Sequence, residues 1–423
     1  MKEEKTKGKS INICILLDSD SFYYPFVGGI ENHCYELSRK LISKGINIFL
    51  VSRINEQFDE AQVIPHLSNA DNFYMKRIPP GGTFKGQGWN ALIPMVEYVI
   101  RMIILLIKHN KSYDIIMISG FKILSFPAIL IAILTNKKSI LKIESPEELT
   151  TEVSEESLGT MSIGKSSKVI RIVNKTRNVL LRKMDYIVAI SQEIDGLLIK
   201  RGVKKQRIVV IPNGIDIDKL CPVKYEEKQA IRNKLSLPAG KTIFVYTGRL
   251  TYNKGIMLLV QAWEKVIKRY DEIHLLLIGP GKGSHRSCEE ELRMYLHEHD
   301  LEDSVSITGE VADVTEYLQA ADIFVFPSEY EGFSISLLEA LACALPSIAT
   351  RVGSAPEIII NGKNGILIQS RNELELEEAF YWLLSHKEQW AMIGNNARQS
   401  IIEHYSMDVV ANKYASLFVG LKG

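Results

Sequence analysis

The chain has 423 residues, more than one hydrophobic core usually covers, so we expect two domains of about 200 residues each with a cleft available between them. Its 51 lysines and arginines almost balance its 50 aspartates and glutamates, and the resulting charge of +1 excludes a global basic field that recruits nucleic acid. Five scattered cysteines without Cys-x-x-Cys spacing favour a reducing compartment and argue against structural zinc.

Targeting signals are weak in this sequence. Residues 1–10 are polar and rich in lysine, without the apolar segment of a secretory signal. The longest apolar stretches, 96–107 and 123–134, are shorter than the ~20 residues that a spanning helix needs. We therefore expect a cytoplasmic protein that does not cross a membrane, with peripheral contact at the inner membrane face left open.

Short apolar, β-branched runs predict buried strands in the first half of the chain. The first is followed by a helical pattern over 31–43 that ends before Gly45. Longer helical stretches separate the later runs, and this alternation predicts a doubly wound parallel sheet covered on both faces. The predicted strands are residues 11–17, 46–51, 115–118, 139–143, 186–190 and 208–211.

Pro212-Asn213-Gly214 interrupts this pattern and is typical of a hinge between domains. A second α/β series follows, which predicts a second Rossmann-like domain. Its predicted strands are residues 242–247, 274–278, 305–308, 323–326, 346–349 and 365–368. Its predicted helices are residues 256–270, 288–297, 314–320, 335–341 and 373–384.

A pair of glycines lies where the first strand turns into the first helix. Gly28 and Gly29 precede Ile30-Glu31, so backbone N–H groups and the positive end of a helix can face a diphosphate there. The same pair also suits a tight turn without a binding role, so the glycines alone leave both interpretations open.

Two cations occur in the loop after the predicted strand 242–247. Arg249 follows Gly248, and Lys254 precedes Gly255 at the start of a helix. A nucleotide diphosphate gains negative charge as it leaves a sugar, and fixed Arg and Lys donors can stabilise that charge in place of a metal. The alternative is a solvated, charged loop, which is the commoner fate of these residue types.

Two glutamates follow the predicted strand 323–326. Glu331 lies in the loop and Glu339 on the next helix, for which Ser334 is the expected N-cap residue. Ligands of α/β sheets bind at this carboxyl end of the strands, where one glutamate can accept from sugar hydroxyls and the other from a ribose diol. Taken singly, Glu331 is equally explained as a turn residue and Glu339 as a surface residue.

Together these residues give the chain a close resemblance to glycosyltransferase family 4, whose members have the GT-B fold. The resemblance runs through nearly the whole sequence, and the order and spacing of its motifs make it specific. The matching segments are Gly28-Gly29-Ile30-Glu31, residues 184–191, residues 211–216, Gly248-Arg249 with Lys254-Gly255, Ala321-Asp322 before Pro327-Ser328, and Glu331-Gly332-Phe333 with Glu339-Ala340.

The resemblance implies two facing Rossmann-like domains, residues 1–212 plus 404–423 on the acceptor side and residues 213–403 on the donor side. A helix after Tyr405-Ser406-Met407 would return to the first domain. The implied activity is a retaining, metal-independent hexosyl transfer from a UDP- or GDP-sugar to a glycan, lipid-linked or small-molecule acceptor. Same-face attack guided by the leaving phosphate is expected, and no nucleophile is assigned.

The resemblance also implies roles for the residues that hold the diphosphate. Arg249 and Lys254 would bind it from the donor domain, and Gly28 and Gly29 would touch it from the other domain. No cofactor or metal ion is expected.

The sugar and the nucleoside would be held by the neighbouring segments. Glu331 and Glu339 would bind the sugar hydroxyls and the ribose. The backbone of Gly332, Phe333 and Ser334 would assist Glu331. Backbone groups near Val311 are expected to bind the base, so the sequence does not name it.

The chain departs from the family pattern after the predicted strand 115–118. Many relatives carry a histidine there, whereas this chain has Ser119-Gly120-Phe121. An imidazole role is therefore in doubt, and Ser119 is assigned only to shaping the pocket. The later turn, Gly353-Ser354-Ala355-Pro356-Glu357, is also altered.

Several other patterns are weaker. Asp18-Ser19-Asp20 and Asp216-Ile217-Asp218 match the pair that holds a metal in other sugar transferases, but neither lies near Arg249 in sequence, and a metal would duplicate charge already present. His297 and His299 are too close on a helix to share a metal. The loop 279–283 lacks the ending of a P-loop and is expected to border the donor cleft.

Residues 164–183 contain seven basic residues and no acid. Interleaved apolar residues suit either an anionic membrane face or acceptor, or a packed helix with solvated lysines. Both interpretations stay open.

Two other functions suit the same fold: sugar-nucleotide epimerisation, and a catalytically silent protein that binds a nucleotide sugar in support of a partner. Incubation with donor alone separates the first. The complete set of Arg249, Lys254, Glu331 and Glu339 argues against the second.

Overall fold

The computed structural model describes residues 10–17, 29–54, 64, 67–79, 89–121, 125–150, 175–176, 178–282 and 286–422, with backbone alone for 89–95. The chain divides into two compact units. Met1–Pro212 and Val410–Gly423 belong to the first, and Asn213–Val409 form the second.

The first unit is built on a parallel sheet of seven strands in the order β3-β2-β1-β4-β5-β6-β7. Its central strands are buried because nearly all of their residues are aliphatic. The strands are β1 (Asn12–Leu17), β2 (Asn47–Arg53), β3 (Phe73–Ile78), β4 (Ile115–Ser119), β5 (Lys138–Ile143), β6 (Tyr186–Ala189) and β7 (Ile208–Val210).

Helices connect these strands in the order expected of a doubly wound unit. They are α1 (Gly29–Ser43), α2 (Trp89–Lys108), α3 (Ser125–Leu134), α4 (Glu147–Thr150) and α5 (Gln192–Lys200). Ser191 caps α5, and its hydroxyl accepts from the N–H of Ile194. No helix among the described residues is long and apolar enough to span a bilayer.

The last helix of the chain, α14 (Met407–Lys422), enters the first unit from Val410 onward. Tyr414 and Phe418 are wholly buried. The Lys422 ammonium lies 2.7 Å from the Asp114 carboxylate, which directly precedes β4. The end of α14 is therefore bound to the edge at which the strands begin.

The second unit contains a parallel sheet of six strands in the order β10-β9-β8-β11-β12-β13. The strands are β8 (Thr242–Thr247), β9 (Ile273–Ile278), β10 (Val305–Gly309), β11 (Ile323–Phe326), β12 (Ser347–Thr350) and β13 (Ile366–Ile368). The helices are α6 (Tyr225–Lys234), α7 (Ile256–Ile267), α8 (Glu289–Glu298), α9 (Thr315–Ala320), α10 (Ile335–Ala342), α11 (Ala355–Ile358), α12 (Glu373–Ser385) and α13 (Trp390–His404).

Aromatic rings fill the layer between this sheet and helices α7 and α12. Phe244, Trp263 and Phe380 meet edge to face, with ring centroids 5.2 to 5.9 Å apart, and none of the three is exposed. The Trp263 indole donates to the Ser304 hydroxyl at 3.2 Å, so its one polar group is satisfied. This packing holds β8 in the centre of the unit.

Arg398, on α13, joins three segments that are distant in the sequence. Its guanidinium donates to the carbonyls of Ile217, Leu220 and Ala342, the last at the end of α10. Gly394, one turn earlier, packs so closely that a Cβ there would lie 2.0 Å from the Ala344 carbonyl oxygen. Helix α10 is therefore held from its carboxyl end.

The prediction of two parallel α/β sheets is confirmed. The sequence analysis did not predict the edge strand β3 or the helix α13.

Candidate functional site

The order of strands in the second unit reverses between β8 and β11. From β8 the chain moves outward through β9 and β10, then returns to place β11 against the other side of β8. The loops that follow β8 and β11 therefore diverge and leave a crevice at the carboxyl edge of the sheet. Six of the predicted site residues follow these two strands.

The loop after β8 is shaped by two glycines and a buried tyrosine. The Tyr246 hydroxyl donates to the Arg249 carbonyl at 2.9 Å, which fixes the backbone beneath the exposed Arg249 side chain. Gly255 has φ of 70°, and a Cβ there would lie 2.1 Å from the Pro327 carbonyl oxygen. Only glycine lets this loop approach the end of β11.

That approach brings Lys254 and Glu331 together. The Lys254 ammonium forms an ion pair with the Glu331 carboxylate, and each side chain is 15% exposed. The Ser328 hydroxyl also donates to Glu331, at 3.4 Å. A second tie joins the loops, because the N–H of Glu329 donates to the Asn253 carbonyl at 3.0 Å. A charged pair thus lies at the switch point, with Arg249 in the same loop as Lys254.

The segment from Gly332 to Ser334 leads into α10. Within the described part of the chain, the N–H groups of Gly332 and Phe333 have no acceptor, and the N–H of Ser334 donates to the Ser354 hydroxyl at 3.1 Å. Ser334 is the N-cap residue, as predicted, but its buried hydroxyl makes no capping bond. Free N–H groups at a helix start can bind oxygen atoms of a ligand.

Glu339 lies on α10 with its side chain partly buried. Burial raises the pKa of its carboxyl to about 7, and Asp313 raises it further, whereas the Lys219 ammonium lowers it. Lys219 and Asp313 form an ion pair at 3.0 Å. Val311, two residues before Asp313, packs against the core on the same side as α10. Both residues predicted to lie near the nucleoside are therefore in this part of the unit.

Close contacts also bring together the loops after β8, β9 and β10. A Cβ at Gly279 would lie 2.1 Å from the Gly248 carbonyl oxygen, and the N–H of Gly279 donates to the Gly309 carbonyl at 2.9 Å. The loop at 279–282 is thus a turn at the end of a strand and borders the same edge of the sheet.

In the first unit, Gly29 is the first residue of α1, and Gly28 lies outside the described residues. Ser119 ends β4, and its hydroxyl donates to the Glu144 carboxylate. Glu144 also pairs at 2.9 Å with Lys142, and both side chains are 4% exposed. The position at which many relatives carry histidine is therefore joined to a buried ion pair.

His33, on α1, completes this cluster. Its Nδ1 lies 3.4 Å from the Lys142 ammonium, and its buried Nε2 has no hydrogen-bond partner among the described residues. Burial holds the pKa of His33 well below its ordinary value, and Lys142 lowers it further. The imidazole is therefore neutral, and Glu144 balances the charge of Lys142.

The weaker patterns acquire no common site. Asp18 and Asp20 lie outside the described residues, and the Asp216 carboxylate accepts from the N–H groups of Asp218 and Lys219. His297 and His299 face different acids, Glu302 and Glu264. No group of three potential ligands in the described residues is arranged for a metal ion. Of the basic stretch 164–183, residues 164–174 and 177 lie outside the described residues.

The sequence analysis missed Lys142, Glu144, His33, Lys219 and Asp313 as possible contributors. One signal was present: Lys142 interrupts an otherwise apolar strand, and a lysine is rarely buried without a charged partner. No comparable signal marked Lys219 or Asp313, because their proximity to Glu339 depends on loops from different strands.

Two family models cover most of the chain. Glycosyltransferase Family 4 matches residues 27–219, and Glycosyl transferases group 1 matches residues 227–400. The chain belongs to glycosyltransferase family 4. One relative in this family belongs to human phosphatidylinositol N-acetylglucosaminyltransferase; it is 25% identical over 354 residues, which are 82% of this chain. The chain spans 63% of that protein's length.

Solved structures share the GT-B fold of this family member. Sucrose-phosphate synthase from Thermosynechococcus elongatus gives a TM-score of 0.76 at 20% identity, over 97% of this chain and 99% of that chain. Anabaena HepE, in complex with UDP, gives 0.75 at 18% identity, over 97% and 100%.

Proposed function

We propose that the protein is a retaining, metal-independent hexosyltransferase that uses a UDP- or GDP-sugar. The observation that carries this proposal is the convergence of Lys254 and Glu331 at the switch point of the second sheet, beside Arg249. The pair is one cation suited to a leaving diphosphate and one carboxylate suited to sugar hydroxyls.

The chemistry follows from these positions. The bond between the anomeric carbon and the leaving oxygen breaks, and the acceptor oxygen bonds to the same face of the sugar. The acceptor proton passes to the leaving phosphate. Arg249 and Lys254 stabilise the charge of that phosphate, so no divalent cation is required. Glu331 shifts from its ion pair with Lys254 to the sugar hydroxyls, and the N–H groups of Gly332 and Phe333 bind the same sugar.

The nucleoside is held farther along the edge. Glu339 accepts hydrogen bonds from the ribose, and backbone groups near Val311 bind the base. Gly28 and Gly29 contact the diphosphate. The UDP complex of Anabaena HepE supports UDP as the first nucleotide to test, and the phosphatidylinositol acceptor in the human relative's name supports a lipid-linked acceptor.

The test begins with a thermal-shift screen of UDP- and GDP-hexoses. The best donor is then incubated with phosphatidylinositol vesicles, soluble sugars and polyol phosphates, with and without EDTA. We expect transfer that survives EDTA and a product whose anomeric NMR coupling matches that of the donor. Loss of transfer in EDTA that manganese restores would reject metal independence. Conversion of the donor without acceptor would indicate an epimerase instead.

A further inference from the structure

Helix α2 is apolar on two opposite sides. Its inner side, Tyr98, Met102 and Leu106, is at most 1% exposed. Its outer side carries Ile100, Ile104 and Ile107, which are 50%, 59% and 48% exposed, and Val96 continues the stripe. A surface helix ordinarily places polar residues on its outer side, so α2 has the composition of a helix that meets a second apolar environment.

Helix α3 repeats this arrangement. Leu130, Ile133 and Leu134 are 49%, 45% and 70% exposed, whereas Ala128 and Ile129 are fully buried. The two helices pack against each other. They connect strands in the same direction along the sheet, so right-handed crossovers place both on one face of it. Their outer stripes therefore form one continuous apolar surface, which we call the α2–α3 face.

A cluster of lysines borders this face. Both helices run opposite to the strands, so their carboxyl ends lie at the same edge, and the Lys137 ammonium donates to the Tyr113 carbonyl at 2.7 Å to link the two ends. Lys108 and Lys111 are exposed at the end of α2. Lys76 adds a fourth cation; it lies over the ring of Tyr74.

Tyr74 connects Lys76 to this edge. Its ring centroid is 6.0 Å from that of His109, which directly follows α2, and 47% of Tyr74 is exposed. An exposed tyrosine beside lysines suits the boundary between water and lipid, because its ring is apolar and its hydroxyl is polar.

Ion pairs neutralise the acids of the same region but not these lysines. Glu97 pairs with Arg101, Asp114 with Lys422, and Asp185 with Lys138. Among the described residues, Lys76, Lys108, Lys111 and Lys137 form no ion pair. The border of the α2–α3 face is therefore positively charged, although the whole chain carries only +1.

We propose that the α2–α3 face docks on the surface of an anionic lipid bilayer. The aliphatic side chains enter the boundary between headgroups and acyl chains, and the lysines meet lipid phosphates. A second copy of the chain is a poorer occupant, because a two-fold contact would bring the same lysine border against itself. This surface is separate from the basic stretch 164–183, and the proposal does not depend on the transfer reaction.

The test is cosedimentation of the full chain with vesicles of phosphatidylcholine, alone or mixed with phosphatidylglycerol. We expect binding to the mixed vesicles that weakens with salt. Ile104→Ser with Ile133→Ser should abolish it. The matched control is Ile360→Ser with Ile199→Ser, whose side chains are 59% and 46% exposed, against 59% and 45% for the tested pair.

A second pair of variants tests the charge without touching the apolar stripe. Lys108→Gln with Lys111→Gln should weaken binding on the order of fivefold for each lysine, whereas Lys44→Gln with Lys413→Gln should not. Thermal shift by the nucleotide should be unchanged in all four variants, which shows that they are folded.

Three results would overturn the proposal. The first is the absence of binding to anionic vesicles. The second is binding that survives both tested pairs, which would assign it to another surface such as 164–183. The third is a dimer that the serine variants dissociate, which would make a second copy the occupant.

Discussion

Glu339 offers a pH-dependent test of the proposed nucleotide site. Its pKa, raised from the ordinary 4.5 to about 7, means that the folded chain holds this proton more tightly than the unfolded chain. Stability from the neutral acid is full below about pH 4.5 and is lost as the pH rises through about 7. The loss is at most about 3 kcal/mol. Glu339→Gln should therefore unfold at a higher urea concentration than the parent near pH 8, but not near pH 4.

The nucleotide should respond in the opposite sense. Ribose hydroxyls donate to the carboxylate, so affinity should rise as Glu339 ionises between about pH 6 and pH 8. Hydrogen bonds to a charged group contribute about 1.5 to 3 kcal/mol, so Glu339→Gln should bind roughly 10 to 100 times more weakly above pH 7. Calorimetric titration with UDP or GDP across this range measures both profiles.

The profile of Glu339→Gln also corrects for titration of the nucleotide phosphates. Glu272→Gln, at an exposed site next to β9, is the control and should match the parent. Asp313→Asn should move the parent's inflection to lower pH, since Asp313 raises the pKa of Glu339, and Lys219→Gln should move it higher. If the parent and Glu339→Gln profiles differ by a constant factor at every pH, Glu339 does not titrate at the ribose.

Three further predictions concern other parts of the chain. Arg249→Ala and Lys254→Ala should each lower kcat by an amount equivalent to about 2 to 4 kcal/mol with a smaller change in melting temperature, and full activity in the double variant would reject the diphosphate site. Lys142→Met should destabilise the fold by about 3 to 5 kcal/mol because it leaves Glu144 charged and buried, and adding Glu144→Met should restore much of that loss in urea unfolding. An additive double variant would contradict this pairing. Gly255→Ala should reduce both stability and turnover, since its Cβ would overlap the Pro327 carbonyl, and unchanged turnover would show that this approach is dispensable.

Buried strands were the most predictable part of the fold. Continuous aliphatic runs such as Thr242–Thr247 have few alternatives to a parallel sheet. The edge strand Phe73–Ile78 was missed because its first four residues alternate in exposure and include Lys76. The helix Trp390–His404 was missed because Gly394 and two asparagines weaken its local signal. Its stability depends on packing against the Ala344 backbone, which the sequence does not reveal.

The site was predictable residue by residue but not as an arrangement. The family motifs identified Lys254 and Glu331, yet their ion pair depends on β11 lying next to β8, which follows from the strand order. Burial of Lys142 with Glu144 likewise depends on β5 lying against β4. The roles of Gly29 and Val311 stay predictions.

The three hydrogen bonds of Arg398 have a consequence for synthesis of the chain. They join residues separated by 56, 178 and 181 positions, and one of them closes the carboxyl end of the helix that carries Glu339. While the ribosome is still producing α12, every strand of the second sheet has been made, but that helix lacks its last hydrogen-bond donor. We therefore expect ribosome-bound chains that end before residue 398 to form the sheet and yet expose Glu339 on a frayed helix, so that nucleotide binding begins only once α13 has emerged.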